Sequence, residues 1–167
     1  MEPDRRPLYL WLAFVVANAL AAAYYWPRLP NVIAQHFGAN GRPNGWNTKL
    51  GFLVFSAFMI TLMGAVCFLL PMVLRRLPFA LLSIPYKQYW SAPERQPLAW
   101  NMVEQQMNWM GVAVIAMQTL VIQLTLAANR GAARMLNNAA LIAVLVAFGA
   151  FMIGWLVVFI RRFTPPA

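Results

Sequence analysis

Four long stretches of the chain are apolar at nearly every position and contain no charged residue: Leu8–Trp26, Leu50–Leu74, Met110–Ala128 and Asn138–Ile160. A run that is apolar all round has no aqueous face. Each of the four is close to or above the ~20 residues a helix needs to cross ~30 Å of hydrocarbon. The pattern predicts an all-α integral membrane protein with four transmembrane helices, a single membrane domain over residues 1–167. Between the first two runs, residues 27–49 are polar and rich in turn formers, which predicts a structured loop. Between the second and third, residues 75–109 are longer and carry their own pattern.

Composition agrees. The chain is 62% hydrophobic and 10% charged, whereas soluble domains hold ~45–50% apolar and ~25% charged residues. A 14% aromatic content excludes a disordered chain, and one cysteine excludes a disulfide-stapled one.

The net charge of +9 does not indicate nucleic acid, because the basic residues lie between the apolar runs. No span carries a charge that would suggest a proton relay or voltage sensor. Arg5, Arg6, Arg75, Arg76, Lys87, Arg95, Arg161 and Arg162 make eight on one side, against five for Arg28, Arg42, Lys49, Arg130 and Arg134. The positive-inside rule then places both termini and the 75–109 loop in the cytoplasm and the 27–49 loop outside. The first run also resembles a signal peptide, with Arg5 and Arg6 before it and Ala21–Ala23 as a cleavage site, but it exceeds the usual ~7–15-residue apolar core. Tyr24, Tyr25, Trp26 and Trp46 at one level, and Tyr9, Trp11, Trp109, Trp155 and Phe159 at the other, form two aromatic belts.

Within the spans, Ala13, Ala17 and Ala21, and again Ala139, Ala143 and Ala147, repeat every fourth residue, the small-residue spacing that lets helices approach. Asn18, Gln118, Thr119, Gln123 and Thr125 are either interhelical hydrogen-bonding groups or the lining of a polar pocket. Cys67 reads as a small buried hydrophobe, and Pro71 as a kink or end of the second span.

The 27–49 loop is dense in turn signals. Pro27 ends the first span by forcing Trp26 out of helical geometry, and Leu29-Pro30 is extended. Asn40-Gly41 and Asn44-Gly45 suit positive φ, Pro43 suits a turn over Arg42–Gly45, and Asn47 or Thr48 suits a cap on the second span. A compact lid or short hairpin results, pressed down by Phe37 and Trp46.

The series Leu29-Pro30-Asn31-Val32-Ile33-Ala34-Gln35-His36-Phe37, then Gly41-Arg42-Pro43-Asn44-Gly45-Trp46 and Lys49, resembles the loop of the bacterial membrane family known as domain of unknown function 1648, which includes a sporulation-delay immunity protein. Ile84–Arg95 is similar to a stretch of short members of that family. Asn44 and Gln88 stand where acids are expected, and Ala34 where proline is usual. The resemblance implies a bacterial cytoplasmic (inner) membrane protein with a non-enzymatic binding, immunity or sensing role. It marks Pro30, His36, Phe37, Gly41, Pro43, Gly45, Trp46 and Lys49 as the motif loop. The alternatives are an accessory or structural subunit of a larger membrane complex and, third, a small transporter or membrane enzyme.

The four acids, Glu2, Asp4, Glu94 and Glu104, fall on the cytoplasmic side, so His36 has no carboxylate to orient it or complete a metal shell. No catalytic residue, metal or cofactor is expected. Arg28, Arg42, Lys49, Arg130 and Arg134 instead form an anion-attracting rim. The expected partners are membrane lipids and another membrane protein or a peptide, and no nucleic acid. In the 75–109 loop, Tyr86, Lys87, Tyr89, Trp90, Glu94 and Arg95 are a candidate cytoplasmic partner surface. Beyond Pro97, Ala99, Met102, Val103, Gln106, Met107 and Met110 share one helical side, predicting an amphipathic interfacial segment leading into the third span.

Overall fold

The computed structural model describes residues 4–166. Glu2, one of the four acids counted above, lies outside the described residues. Helix α1, Arg6–Tyr25, opens with Pro7 in its first turn, where a missing N–H costs nothing. Trp26 keeps helical dihedrals, contrary to expectation, because a 3-10 turn over Trp26–Arg28 absorbs Pro27. The chain becomes extended only at Leu29, with ψ 142° ahead of Pro30. Strands β1, Val32–Phe37, and β2, Pro43–Thr48, form an antiparallel hairpin.

Thr48 ends the hairpin and caps helix α2, Lys49–Gly64, its Oγ1 accepting from Gly51 N at 2.9 Å. The span continues through a π-helical turn, Ala65–Leu69, into α3, Leu70–Leu74. Pro71 sits in the first turn of α3, directly after the π-helical turn, and the helix ends at Leu74, before Arg75 and Arg76. Lacking an N–H, Pro71 leaves the Cys67 carbonyl without its usual helical donor. With its amide nitrogen turned toward the acceptors around it, Asn108 donates to that carbonyl at 2.9 Å and to Glu104 O at 3.3 Å. A neighbouring helix thus completes the ladder that proline interrupts.

After a short helix α4, Lys87–Trp90, helix α5 runs unbroken over Gln96–Ala128, 33 residues. At 1.5 Å per residue it is ~50 Å long, well beyond a ~30 Å hydrocarbon core. The amphipathic segment is therefore the first part of α5, continuous with the span, and not a separate in-plane helix. Ala99, Val103 and Gln106 are buried, whereas Asn101 is exposed. Helix α6, Asn138–Phe163, completes the set. Four helices are long and apolar enough to cross a membrane.

α5 is the hub, packing against α1, α6 and the α2–α3 span, while the α1 and α2 backbones approach each other at few points. Two glycines permit the close approaches. Gly64 lets the Trp11 ring lie on the α2 backbone, and at Gly111 a Cβ would stand 2.7 Å from Cys67 Cβ. The alanine stripes do not serve this purpose. Ala13, Ala17, Ala139, Ala143 and Ala147 face outward, as do Gly149 and Gly154, which meet nothing within 4 Å. Large apolar side chains such as Val16, Val54, Phe58 and Val146 occupy the same outer perimeter, where lipid tails lie.

Away from the hairpin, a compact core gathers Phe79, Leu82, Trp90, Ala99, Trp100, Val103 and Phe163. It seals the end of the bundle that holds both termini. Gly111→Val is expected to lower thermal stability in detergent by ~1–3 kcal/mol relative to Gly154→Val, since overpacking strains only the first site. Equal melting temperatures would contradict the close packing at Gly111.

Candidate binding site at the hairpin end

The hairpin pairs Val32 with Thr48, Ile33 with Asn47, Ala34 with Trp46, His36 with Gly45 and Phe37 with Pro43, with irregularities on both sides of His36. Ile33 and Ala34 are fully buried, and Ile33 joins Leu29, Phe52 and Leu126 in a small core under the sheet. The two glycines have different roles. Gly41 takes φ +74° at the turn, as expected. Gly45 lies inside β2 and makes no turn with Pro43. It is there because a Cβ would come within 2.9 Å of His36 Cβ. Trp46 does not press the loop down either: it is 52% exposed.

What fastens the hairpin is the α5–α6 connection. The Asn129 amide, buried at the end of α5, accepts from Ala34 N at 2.7 Å and donates to Ala34 O at 2.8 Å and Thr125 O at 2.9 Å. It acts as a one-residue strand, satisfying both backbone groups of a buried position. Farther along, Arg134 Nη1 donates to Val32 O at 3.3 Å, Leu136 N to Gly41 O at 3.0 Å, and Asn138 Nδ2 to Ala39 O at 2.6 Å. The alanine at position 34 supplies the N–H that a proline there would lack.

Around this lid stand Arg28, Lys49, Arg130 and Arg134, each over an aromatic ring. Arg28 lies 3.9 Å from the Tyr24 centroid, Lys49 4.5 Å from Trp26, Arg130 5.7 Å from Tyr25 and Arg134 5.1 Å from Trp46. Each contact is worth ~0.5–1 kcal/mol at an exposed site. Arg28 also donates to Tyr24 O, and Lys49 Nζ to Trp26 O at 3.4 Å. Arg42 is exposed near the hairpin tip. The ion pairs among the described residues, Arg6–Asp4 at 3.8 Å and Arg75–Glu104 at 3.2 Å, lie at the opposite end. So does Glu94, in the turn before α5.

Residues 13–60, which run from α1 through the hairpin into α2, match the family model described as domain of unknown function (DUF1648). The hairpin and the helix segments on either side of it are the part of the chain similar to that family. No curated protein and no solved structure matches the chain. The residues that clasp the DUF1648 hairpin, Asn129 through Asn138, lie outside the matched stretch.

Of the motif residues in the DUF1648 segment, Gly41, Pro43, Gly45 and Trp46 come together with His36 and Phe37 on the hairpin, Pro30 leads into it and Lys49 opens α2. His36 is exposed and projects beside Gly45. Among the described residues no three His, Cys, Asp or Glu side chains come close enough to share a metal ion. The intramembrane polar residues divide. Asn18 Nδ2 donates to Thr119 Oγ1 at 2.7 Å and to Phe14 O at 2.8 Å, joining α1 to α5. Gln118 and Thr125 line a cavity between α2 and α5. Gln123 is half-buried on α5.

The candidate surface at the other end also divides. Trp90 is buried, its Nε1 donating to Phe163 O at 2.9 Å. Tyr89 is half-buried with Arg95 stacked 4.0 Å above it, and Lys87 donates to Ala80 O. Tyr86, in a left-handed conformation with φ 52°, and Glu94 remain exposed. The six residues therefore do not form one free patch, and Trp90 belongs to the core.

Asn129 was not singled out in the sequence, where its signal is a polar residue just past the end of the third apolar run. Asn129→Leu leaves the buried Ala34 N–H and C=O unpaired, at ~1–3 kcal/mol each. Hydrogen–deuterium exchange over residues 32–48 should accelerate by at least tenfold in that variant and remain unchanged in Gln123→Leu. Unchanged protection in both would show that the clasp is dispensable.

Proposed function

We propose that the protein is a non-enzymatic binding protein of the bacterial cytoplasmic membrane, with both termini in the cytoplasm and the hairpin end outside, where it receives a phosphate-bearing anionic lipid. A sensing or immunity role accords with the family resemblance. One observation carries the reading: the hairpin end bears five cations and no carboxylate among the described residues, and four of the cations rest on aromatic faces. A guanidinium over a ring retains N–H groups for phosphate contact, even where Arg28 and Arg134 each donate one to a backbone carbonyl, and no internal acid competes for them. The eight-to-five distribution of Lys and Arg supports the orientation.

A second reading, an accessory subunit of a membrane complex, is favoured by α6. Its most apolar stretch has no buried residue, and Ala139, Ala143 and Ala147 face outward, a surface on which another helix packs closely.

Orientation is tested by Asn40→Cys in a Cys67→Ala background: a membrane-impermeant maleimide should label intact cells. Labelling only after lysis reverses the scheme. Binding is tested by native mass spectrometry from mixed phosphatidylglycerol and phosphatidylcholine. Replacing Arg28, Arg42 and Lys49 by Gln should reduce retained phosphatidylglycerol severalfold. High salt should have the same effect on the unmodified protein, and His36→Ala a smaller one. Loss with His36→Ala alone, and full retention in the triple variant, would overturn the proposal.

A further inference from the structure

Between the end of α3 and the start of α4, residues 75–86 cross the end of the bundle that holds the termini as a strap. A 3-10 turn over Phe79–Leu81 sorts its side chains. Phe79 and Leu82, three positions apart, fall on one side of such a turn and are buried, with the Phe79 ring edge-on to Trp100 at 6.1 Å. Leu77 and Leu81 stay outside, and Leu81 is 69% exposed. Lys87 Nζ donates to Ala80 O and ties the two ends of the stretch 80–87 together. Leu81 and Tyr86 stand one position inside each end, so the clip adds a second apolar side chain, 55% exposed, to the same region. Tyr86 is held there by a left-handed backbone, φ 52°, that a bulky residue seldom adopts.

The lengths of the spans set the level of this patch. The α2–α3 span, Lys49–Leu74, and α6, Asn138–Phe163, have 26 residues each. At 1.5 Å per residue each is ~39 Å long, more than the ~30 Å of hydrocarbon and less than the ~40–45 Å that includes both headgroup layers. Their ends therefore lie among headgroups. The strap begins directly after Leu74 and packs through Phe79 and Leu82 into the core that holds Phe163, so it stays at that level. Met72 and Val73, just before it, are exposed on the lipid-facing perimeter, and the apolar surface continues from the span into the strap. Arg76 and Arg161, exposed at the two helix ends, stand where lipid phosphates can meet them. At 33 residues, or ~50 Å, α5 outruns the whole bilayer, and the turn before it, with Glu94, stands in water.

We infer that residues 77–86 are an interfacial anchor, with Leu77, Leu81 and Tyr86 entering the lipid at the boundary between headgroups and acyl chains, in the leaflet on the side of the termini. The partner is the phospholipid surface, engaged through apolar area and not through charge. Leucines at this depth leave water, and the tyrosine ring, apolar in body and polar at its tip, suits the boundary. Because the inner side of the same turn packs into the core with Trp90 and Phe163, the anchor fixes the height of that core against the membrane. It lies at the opposite end from the cationic rim and holds whichever way the protein faces. Its failure leaves the anion-binding reading untouched.

The test uses the full-length protein in phosphatidylcholine vesicles, with a nitroxide attached at Leu81→Cys, Tyr86→Cys, Met72→Cys or Glu94→Cys in a Cys67→Ala background. Electron paramagnetic resonance compares collisions with oxygen, which concentrates in hydrocarbon, and with a water-soluble nickel chelate. The oxygen-to-nickel ratio at Leu81 and at Tyr86 should exceed that at Glu94 at least fivefold and approach that at Met72. Leu77→Glu and Leu81→Glu together should lower the ratio at Tyr86 at least threefold in a protein that keeps its helical circular dichroism, because both leucines are exposed and support no core. A ratio at Leu81 equal to that at Glu94 would put the patch in water, where a soluble protein could cover it, and overturns the proposal without any further variant. A label at Leu81 reached by neither reagent would show that protein covers it, a second copy included, and overturns it too. So does a ratio at Tyr86 that the double substitution leaves unchanged.

Discussion

The hairpin end depends on a single side-chain amide. Ala34 lies at the middle of β1 with its backbone N–H and C=O facing the bundle and no strand on that side to pair them. In a membrane protein, backbone groups that are neither in a helix nor in a closed sheet have few remedies. Asn129 supplies one, matching a donor to the carbonyl and an acceptor to the N–H. Because it sits where α5 ends, the same residue that terminates the third span fixes the height and tilt of the lid over the first two. The contacts of Arg134, Leu136 and Asn138 extend the seam it begins.

That seam separates what was readable in the sequence from what was not. The four spans were legible because a continuous apolar run has one physical solution in a bilayer, and the structure moves their limits by only a few residues. The third is the exception, where α5 begins fourteen residues before the apolar run. Gly41 was legible because positive φ is a property of the residue itself. Gly45 was misread as a turn, since closeness to His36 is a property of the partner strand's register. Asn129 showed only as a polar residue past the end of an apolar run, and its role was hidden because its partner is 95 positions away. The alanine stripes misled for another reason: a surface of small residues suits both lipid and a neighbouring helix, and the pattern alone does not choose.

The two ends of the bundle hold their cations differently, although Arg95 over Tyr89 is a ring contact at the end with the termini. At the end with the termini, Arg6 and Arg75 meet carboxylates, and Arg162 bonds the Gln105 amide. At the hairpin end, cations meet ring faces, which soften their desolvation without cancelling their charge. The first end mixes charges of both signs, whereas the second holds cations with no carboxylate among the described residues. The DUF1648 match stops within α2, so it takes in Arg28, Arg42 and Lys49 and leaves Arg130 and Arg134 outside it.

The bond from Trp90 to Phe163 spans 73 residues, and this bears on the order in which the protein can be made. At ~5–20 residues per second, synthesis leaves an interval of about 4–15 s between the appearance of the tryptophan and of its acceptor. During that time Phe79, Leu82 and Trp100 have an unfilled socket at their centre, since Phe163 closes it. A nascent chain with three spans already inserted therefore has an open aromatic hollow at the end of the bundle that holds the termini. The fourth span acts as the latch that closes it.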